Sequence, residues 1–190
     1  GAGLQAWTGC WSAAQSLASP AGGALICISP TANVNVANVT SLDGSVVAHE
    51  IIDATGHPLP LDAEGCTGTR HAAWSRDSRR LFLRTTGACN GIPLAISGIF
   101  SISAAGEWLD VEGISRGGGT SVRVARYRDV GVPPGLAPDV AQSIQANALA
   151  RRSTRAAFSA PIHLDDVIDA ARFVQADVVA AWILERAQQV

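Results

Sequence analysis

Lysine and methionine are both absent from the 190 residues, and aromatic side chains make up only 5% of them. All 14 basic residues are therefore arginine, set against 16 acids for a net charge of −2. That balance excludes a protein that works by neutralising nucleic-acid phosphate. An all-arginine chain rich in alanine and glycine suggests a GC-rich bacterial genome. No stretch of about 18 uninterrupted apolar residues occurs, so no segment reads as a membrane-crossing helix. The chain opens Gly-Ala-Gly without an initiator, which reads as the trace of a removed signal peptide or anchor.

Motifs that carry chemistry are missing as well. There is no Cys-x-x-Cys knuckle for zinc, no Cys-x-x-Cys-His for haem, no Gly-x-Ser-x-Gly elbow, no His-Glu-x-x-His and no Walker loop. Gly117-Gly118-Gly119 leads into a strand rather than a helix N-terminus, so it reads as a hairpin turn and not as a phosphate cradle.

What is present is sufficient for a sizeable core: 47% of the residues are hydrophobic. Four cysteines carry the sharpest signal. Cys66 and Cys89 lie at equal distances from the dipeptide Asp77-Ser78, so a hairpin turning there sets one thiol across from the other. The same register pairs Trp74 with Leu81 and Ala72 with Leu83 on one face. With a two-residue loop the cysteines fall at a hydrogen-bonded pair, whose Cα atoms are about 5.5 Å apart. If Cys66 pairs with Cys89, Cys10 pairs with Cys27 by elimination; four buried free thiols are the alternative. Disulfides imply an oxidising compartment, and hence a periplasmic or extracellular chain.

From about residue 24 to 128 short apolar segments alternate with turn chemistry at meander spacing. Ala24 to Ser29, Val34 to Thr40 and Ser45 to Asp53 come first, divided by Pro30 and Asp43-Gly44. The Cys66 to Cys89 hairpin follows, then Leu94 to Ser103, Glu107 to Ser115 and Thr120 to Arg128. The expected fold is mainly β, an antiparallel barrel or sandwich of seven to nine strands, since closure hides sheet edges. Residues 1–130 form this body. Beyond the break at Val132-Pro133-Pro134-Gly135, residues 131–190 read as a helical appendage. Pro138 suits a first helical turn, with an apolar stripe ending in Arg151, Arg152 and Arg155. A second helix runs from Leu164 to Val174, and Asp177 caps a third that carries Trp182. These helices either pack on the body or reach out as an arm that holds a neighbour.

Charge is segregated. Residues 1–69 hold five acids and no arginine, whereas residues 70–128 hold nine arginines against four acids. The pattern fits either a basic docking face or strand edges and internal ion pairs. On the arm reading, Arg151, Arg152, Arg155, Phe173 and Trp182 are the partner-binding candidates.

Acid-base candidates are few: His49, Glu50, Asp53, His57 and His71. His49 shares a strand face with Val47 and Ile51 and reads as a hydrogen-bonded core or edge histidine. His57 precedes Pro58 in a turn, and His71 falls opposite Arg84. An active centre, if there is one, would draw on His49, Glu50 and His57; the expectation is no enzyme, no cofactor and no metal site.

The Trp-rich start, Trp7-Thr-Gly-Cys-Trp11, resembles the Gly-x-Trp opening of lipocalin-type barrels through Gly9 and Trp11. That resemblance implies a barrel whose floor is closed by a tryptophan, with room for an apolar cavity. Trp7, Trp11, Trp74 and Trp108 would either line the cavity or fill it. Two functional expectations follow. The first is a structural or accessory subunit of a bacterial membrane-associated complex, respiratory or photosynthetic, that is peripheral to the membrane and binds protein partners through its β body and helical tail. The second is a lipocalin-like carrier of a small apolar ligand.

Overall fold

The protein is described here by a computed structural model covering residues 3–14, 24–43, 46–61 and 63–188. Ten strands form one antiparallel sheet. They are β1 (Gly9–Ala13), β2 (Leu25–Pro30), β3 (Val36–Asp43), β4 (Val46–Asp53) and β5 (Leu59–Pro60), followed by β6 (Cys66–Trp74), β7 (Leu81–Cys89), β8 (Ile92–Ile102), β9 (Trp108–Arg116) and β10 (Gly119–Gly131). Every strand lies beside its chain neighbour, with two exceptions: β1 also pairs with β10, and β4 does not pair with β5. The meander therefore rolls into a nearly closed barrel with one seam, between β4 and the β5/β6 side. Across that seam Arg70 on β6 reaches Glu50 on β4 at 3.3 Å.

The strand pattern read from the sequence is present, with β1 and the short β5 added to it. The turn at Gly44 lies outside the described residues. The Cys66↔Cys89, Ala72↔Leu83 and Trp74↔Leu81 registers all occur. The turn itself differs from the expected two-residue loop. Ser75 donates its N–H to Arg80, and Arg76 to Arg79 form the loop. Ser78 takes a left-handed φ of 57° there, and the Asp77 carboxylate accepts from Ser75 Oγ and the Arg79 N–H. Widening the loop by one residue on each side keeps the register but shifts the hydrogen-bond phase. Cys66 and Cys89 then occupy a non-hydrogen-bonded pair, with their Cα atoms 4.0 Å apart. Both disulfides, Cys66–Cys89 and Cys10–Cys27, are formed.

Four helices follow the barrel: α1 (Pro138–Ala146), α2 (Ala148–Phe158), α3 (Leu164–Ala171) and α4 (Ala176–Ala187). All of them pack on the barrel. The single helix expected from Pro138 to Arg155 is broken at Asn147, whose side-chain amide donates to Ser143 O at 2.8 Å. The break lets α1 cover the Cys10–Cys27 bridge with Ile144 while α2 turns under the barrel's end. Asp177 lies inside the first turn of α4, and Gln175 is the N-cap. Asp166 caps α3, accepting the His163 N–H at 2.7 Å.

Alternation along each strand divides the core in two. Inward residues such as Trp11, Ile28, Leu81, Phe100 and Trp108 form one cluster inside the barrel. Outward residues Phe82, Ile99, Leu109 and Val111 form a second with Val178 and Trp182 of the covering helices. Gly113 on β9 lets α4 come this close, since a Cβ there would lie 2.6 Å from Val178 Cγ2.

Candidate functional site

The barrel is filled at one end and hollow at the other. The filled end is an aromatic floor. Trp7, in the short 3-10 turn Gly3–Ala6 and the residue after it, packs against Trp74 at 5.8 Å and against Phe158 of α2 at 5.5 Å. Trp11 meets Trp108 edge-on at 5.9 Å, and Trp108 stacks on Tyr127 at 4.6 Å. From beneath, the Arg155 guanidinium covers the Trp11 ring at 4.2 Å and donates to Ala6 O and Thr8 O. Trp11 thus closes the floor, as the Gly-x-Trp resemblance implies.

Above this floor lies a cavity of about 320 Å³. Ile26, Val39, Ile52, Ala72, Leu83 and Phe100 give it apolar walls. Its polar part comes from strands β9 and β10, where Trp108, Asp110 and Glu112 alternate inward beside Tyr127 and Arg123. One Arg123 nitrogen donates to both Asp110 Oδ2, at 2.9 Å, and Glu112 Oε2, at 2.7 Å. Asp110 is only 4% exposed. Burial and the neighbouring Glu112 charge push its pKa up to about 8, against the opposing pull of Arg123. Burial likewise raises the Tyr127 phenol. Among the described residues, Asp110 Oδ1, Trp108 Nε1 and Arg70 Nε are buried polar atoms with no hydrogen-bond partner.

None of these cavity charges stands out in the sequence. Trp108-Leu-Asp-Val-Glu alternates apolar and acidic residues, and a half-buried strand of that kind would normally turn its acids to bulk water. Here the apolar Leu109 and Val111 face the helices, so the acids face the lumen. The readable signal was the helical segment itself: once helices cover the outside, the opposite face must line the inside.

The acid-base candidates do not converge. His49 is exposed on β4, 3.3 Å from Thr40 Oγ1. His57 lies 2.9 Å from Thr55 Oγ1, and Asp53 accepts from the Thr55 N–H and hydroxyl. His71 meets Gly56 O at 2.9 Å on the barrel's outer side, beside Phe173. Glu50, Asp53 and His71 are among the residues that border the cavity, with the Glu50 carboxylate largely exposed and paired to Arg70 at the seam. No group of three or more His, Cys, Asp or Glu among the described residues has metal-site geometry.

The residues named as partner-binding on the arm reading are placed otherwise. Trp182 is fully buried under Arg80 and donates to Ser101 Oγ at 3.2 Å. Arg151 and Arg155 are buried and reach Asp129. Phe173 stacks on Phe82 at 5.6 Å, beneath Arg84. Only Arg152 is exposed. Of the nine arginines from 70 to 128, five are ion-paired within the chain: Arg70, Arg80, Arg123, Arg126 and Arg128.

A second hollow, of about 580 Å³, lies outside the barrel between α2 and the Ala104–Glu107 turn. Arg128 pairs there with Glu107 and Arg155 with Asp129, while Arg152 is exposed at its edge.

No family model matches the sequence, and no curated protein matches it. Among solved structures, the chain is similar to secretory abundant heat soluble protein 4 from Ramazzottius varieornatus. That similarity has 11% identity, covers 66% of this chain and 96% of the other, and has a TM-score of 0.46.

Proposed function

We propose that this chain is an extracytoplasmic, non-enzymatic carrier that holds one small, largely apolar molecule in its barrel lumen. The observation that carries the reading is the cavity above the aromatic floor. Its volume of about 320 Å³ falls within the range of small-molecule sites, and apolar walls with a few converging polar groups are what such sites present. Two disulfides suit an oxidising compartment. No helix among the described residues is long and apolar enough to cross a membrane. The accessory-subunit reading drew on the helical appendage and the segregated charge; α1 to α4 pack on this chain's own barrel, and five of the nine arginines from 70 to 128 are ion-paired within the chain.

Titration with the neutral fluorescent probe N-phenyl-1-naphthylamine tests the proposal. Saturable binding with one site per chain is expected. A Val39→Trp variant, which fills the lumen from β3, should lose that binding while keeping its circular dichroism. Absence of saturable binding, or binding that survives the Trp, would rule the lumen out.

A further inference from the structure

We propose that a hollow between α3 and α4, outside the barrel and separate from the lumen, binds an apolar molecule that carries a single carboxylate, with Arg186 receiving the head. Ile162, Leu164 and Val167 supply one wall, and Ile183 and Ala187 of α4 supply the other. The volume is about 380 Å³, within the range of small-molecule sites. Leu164 is 73% exposed and Ile183 36%. Large apolar side chains held open to water beside a hollow are surface that an apolar ligand would cover.

Arg186 sets the charge of the head. It borders the hollow and is half-buried. Its Nη1 donates to Ile102 O at 2.6 Å, and its Nη2 donates to Ser159 O at 3.3 Å and to Ala160 O at 2.8 Å. All three acceptors are neutral carbonyls, and Arg186 has no carboxylate partner among the described residues. A guanidinium carries five N–H groups, so the Nε–H remains unused. Arg186 contributes none of the buried polar atoms that lack a partner, so this N–H meets solvent. Burial and the Arg80 charge act to lower the Arg186 guanidinium, and no carboxylate acts to raise it. Arg155, equally enclosed, has Asp129 as its counter-ion.

The acids nearby are engaged or turned elsewhere. Asp77 and Asp166 both hold Arg80, at 2.8 and 2.9 Å, and Asp166 also accepts the His163 N–H. Glu185 on α4 pairs with Arg126. Asp165, in the first turn of α3, is exposed, and neither it nor Asp166 borders the hollow. His163 is the other titratable side chain that does. Specificity thus rests on an open charged donor and not on a sum of charges. An ammonium would meet the Arg186 cation and no acid in the lining. An alcohol would leave the guanidinium without a counter-ion. A carboxylate supplies one, through a charge-assisted hydrogen bond stronger than a neutral oxygen can make.

Calorimetry of the whole chain with decanoate, decanol and decyltrimethylammonium tests the proposal, in the wild type and in the lumen-filled Val39→Trp variant. The Val39→Trp chain should still bind one decanoate, at least roughly 10-fold more tightly than decanol, with decyltrimethylammonium the weakest. Ile183→Asp, on the exposed wall, should remove that binding while leaving the circular dichroism unchanged. Arg186→Gln should bring decanoate down to the level of decanol. The carboxyl carbon-13 resonance of bound decanoate should also titrate at lower pH than that of the free acid, as a carboxylate beside a guanidinium does. If Arg186→Gln does not fold, this titration decides in its place. If Val39→Trp does not fold, Ile183→Asp should still remove one decanoate site from the wild type. Decanoate no tighter than decanol, decanoate binding that survives Ile183→Asp, or a folded Val39→Trp chain that binds no decanoate would each overturn the assignment. None of these results bears on the lumen, whose own test is the naphthylamine probe.

Discussion

The guanidinium of Arg155 lies 4.2 Å over the Trp11 ring and binds, from one side chain, the carbonyls of Ala6 and Thr8 and the carboxylate of Asp129. It joins α2 to the 3-10 turn, to β1 and to the end of β10, and so fastens the floor of the barrel. A planar fork with several fixed donors can do this, and an ammonium cannot.

Arg155→Ala should therefore cost about 3–5 kcal/mol, because it strands a half-buried Asp129 and two buried carbonyls. Arg155→Lys should recover less than half of the loss. Denaturant unfolding at pH 7 measures both. Asp129 reports on the same contact. Burial acts to raise its pKa, but the Arg155 hydrogen bond, the Gly131 N–H and the Arg155 and Arg151 charges together hold it below the ordinary carboxylate value. That part of the stability is present above the unfolded value of 3.8 and is lost as pH falls through the folded pKa. The variant should lose this acid-side dependence.

Asp110 gives the opposite sign. Its folded pKa is raised to about 8 from 3.8, so the folded state holds a proton that the unfolded chain has released. Stability from this group is complete below 3.8 and is lost as pH rises through about 8. Asp110→Asn mimics the protonated acid. It should come nearest the wild type at pH 4 and exceed it increasingly as pH rises to 9, where the difference reaches several kcal/mol in paired denaturation curves.

The two disulfides differ in shelter. Cys10 and Cys27 are buried beneath α1, whereas Cys66 is half-exposed at the end of its hairpin. Under native conditions dithiothreitol should open Cys66–Cys89 first, giving a one-bridge species seen by alkylation and mass spectrometry. Replacing both Cys66 and Cys89 by serine should cost about 3 kcal/mol, the loop-entropy value for its separation of 23 residues.

Gly113→Val tests how tightly α4 is seated. The added Cβ would meet Val178 and Gln175, and α4 must shift outward. A loss of about 1–3 kcal/mol is expected, with a red shift in the Trp182 emission as its pocket opens.

Much of this architecture was readable because strand alternation and cysteine spacing are local. The Cys66–Cys89 register needed only the period of a strand and one turn. β1 was not readable in the same way: Gly9 to Ala13 is five residues long and pairs on both sides with strands distant or separated from it by a long connection. The helical segment is legible in the sequence, but whether Trp182 and Arg155 face a partner or the body is not. A tryptophan on a short helix looks the same in sequence whether it faces a neighbour or its own sheet. The lumen was the least legible part, because Asp110, Glu112 and Arg123 become a site only when β9 and β10 are set in register and covered from outside.

The β1–β10 ladder joins Cys10 to Gly131, residues more than a hundred positions apart. Such a pairing comes late in folding, since a long loop must close before any contact rewards it. The meander from β6 to β10 needs only short hairpins and can form first, as an open curved sheet. Until β1 arrives, Trp108 and Tyr127 have no floor beneath them, and the cavity does not yet exist. Because Cys10 is tied to Cys27, β1 brings β2 with it, and β3 and β4 follow as the next turns of the meander. The Cys10–Cys27 bridge thus ties together two strands at the ladder that closes the barrel, and the space that can hold a molecule exists only where that ladder is in place.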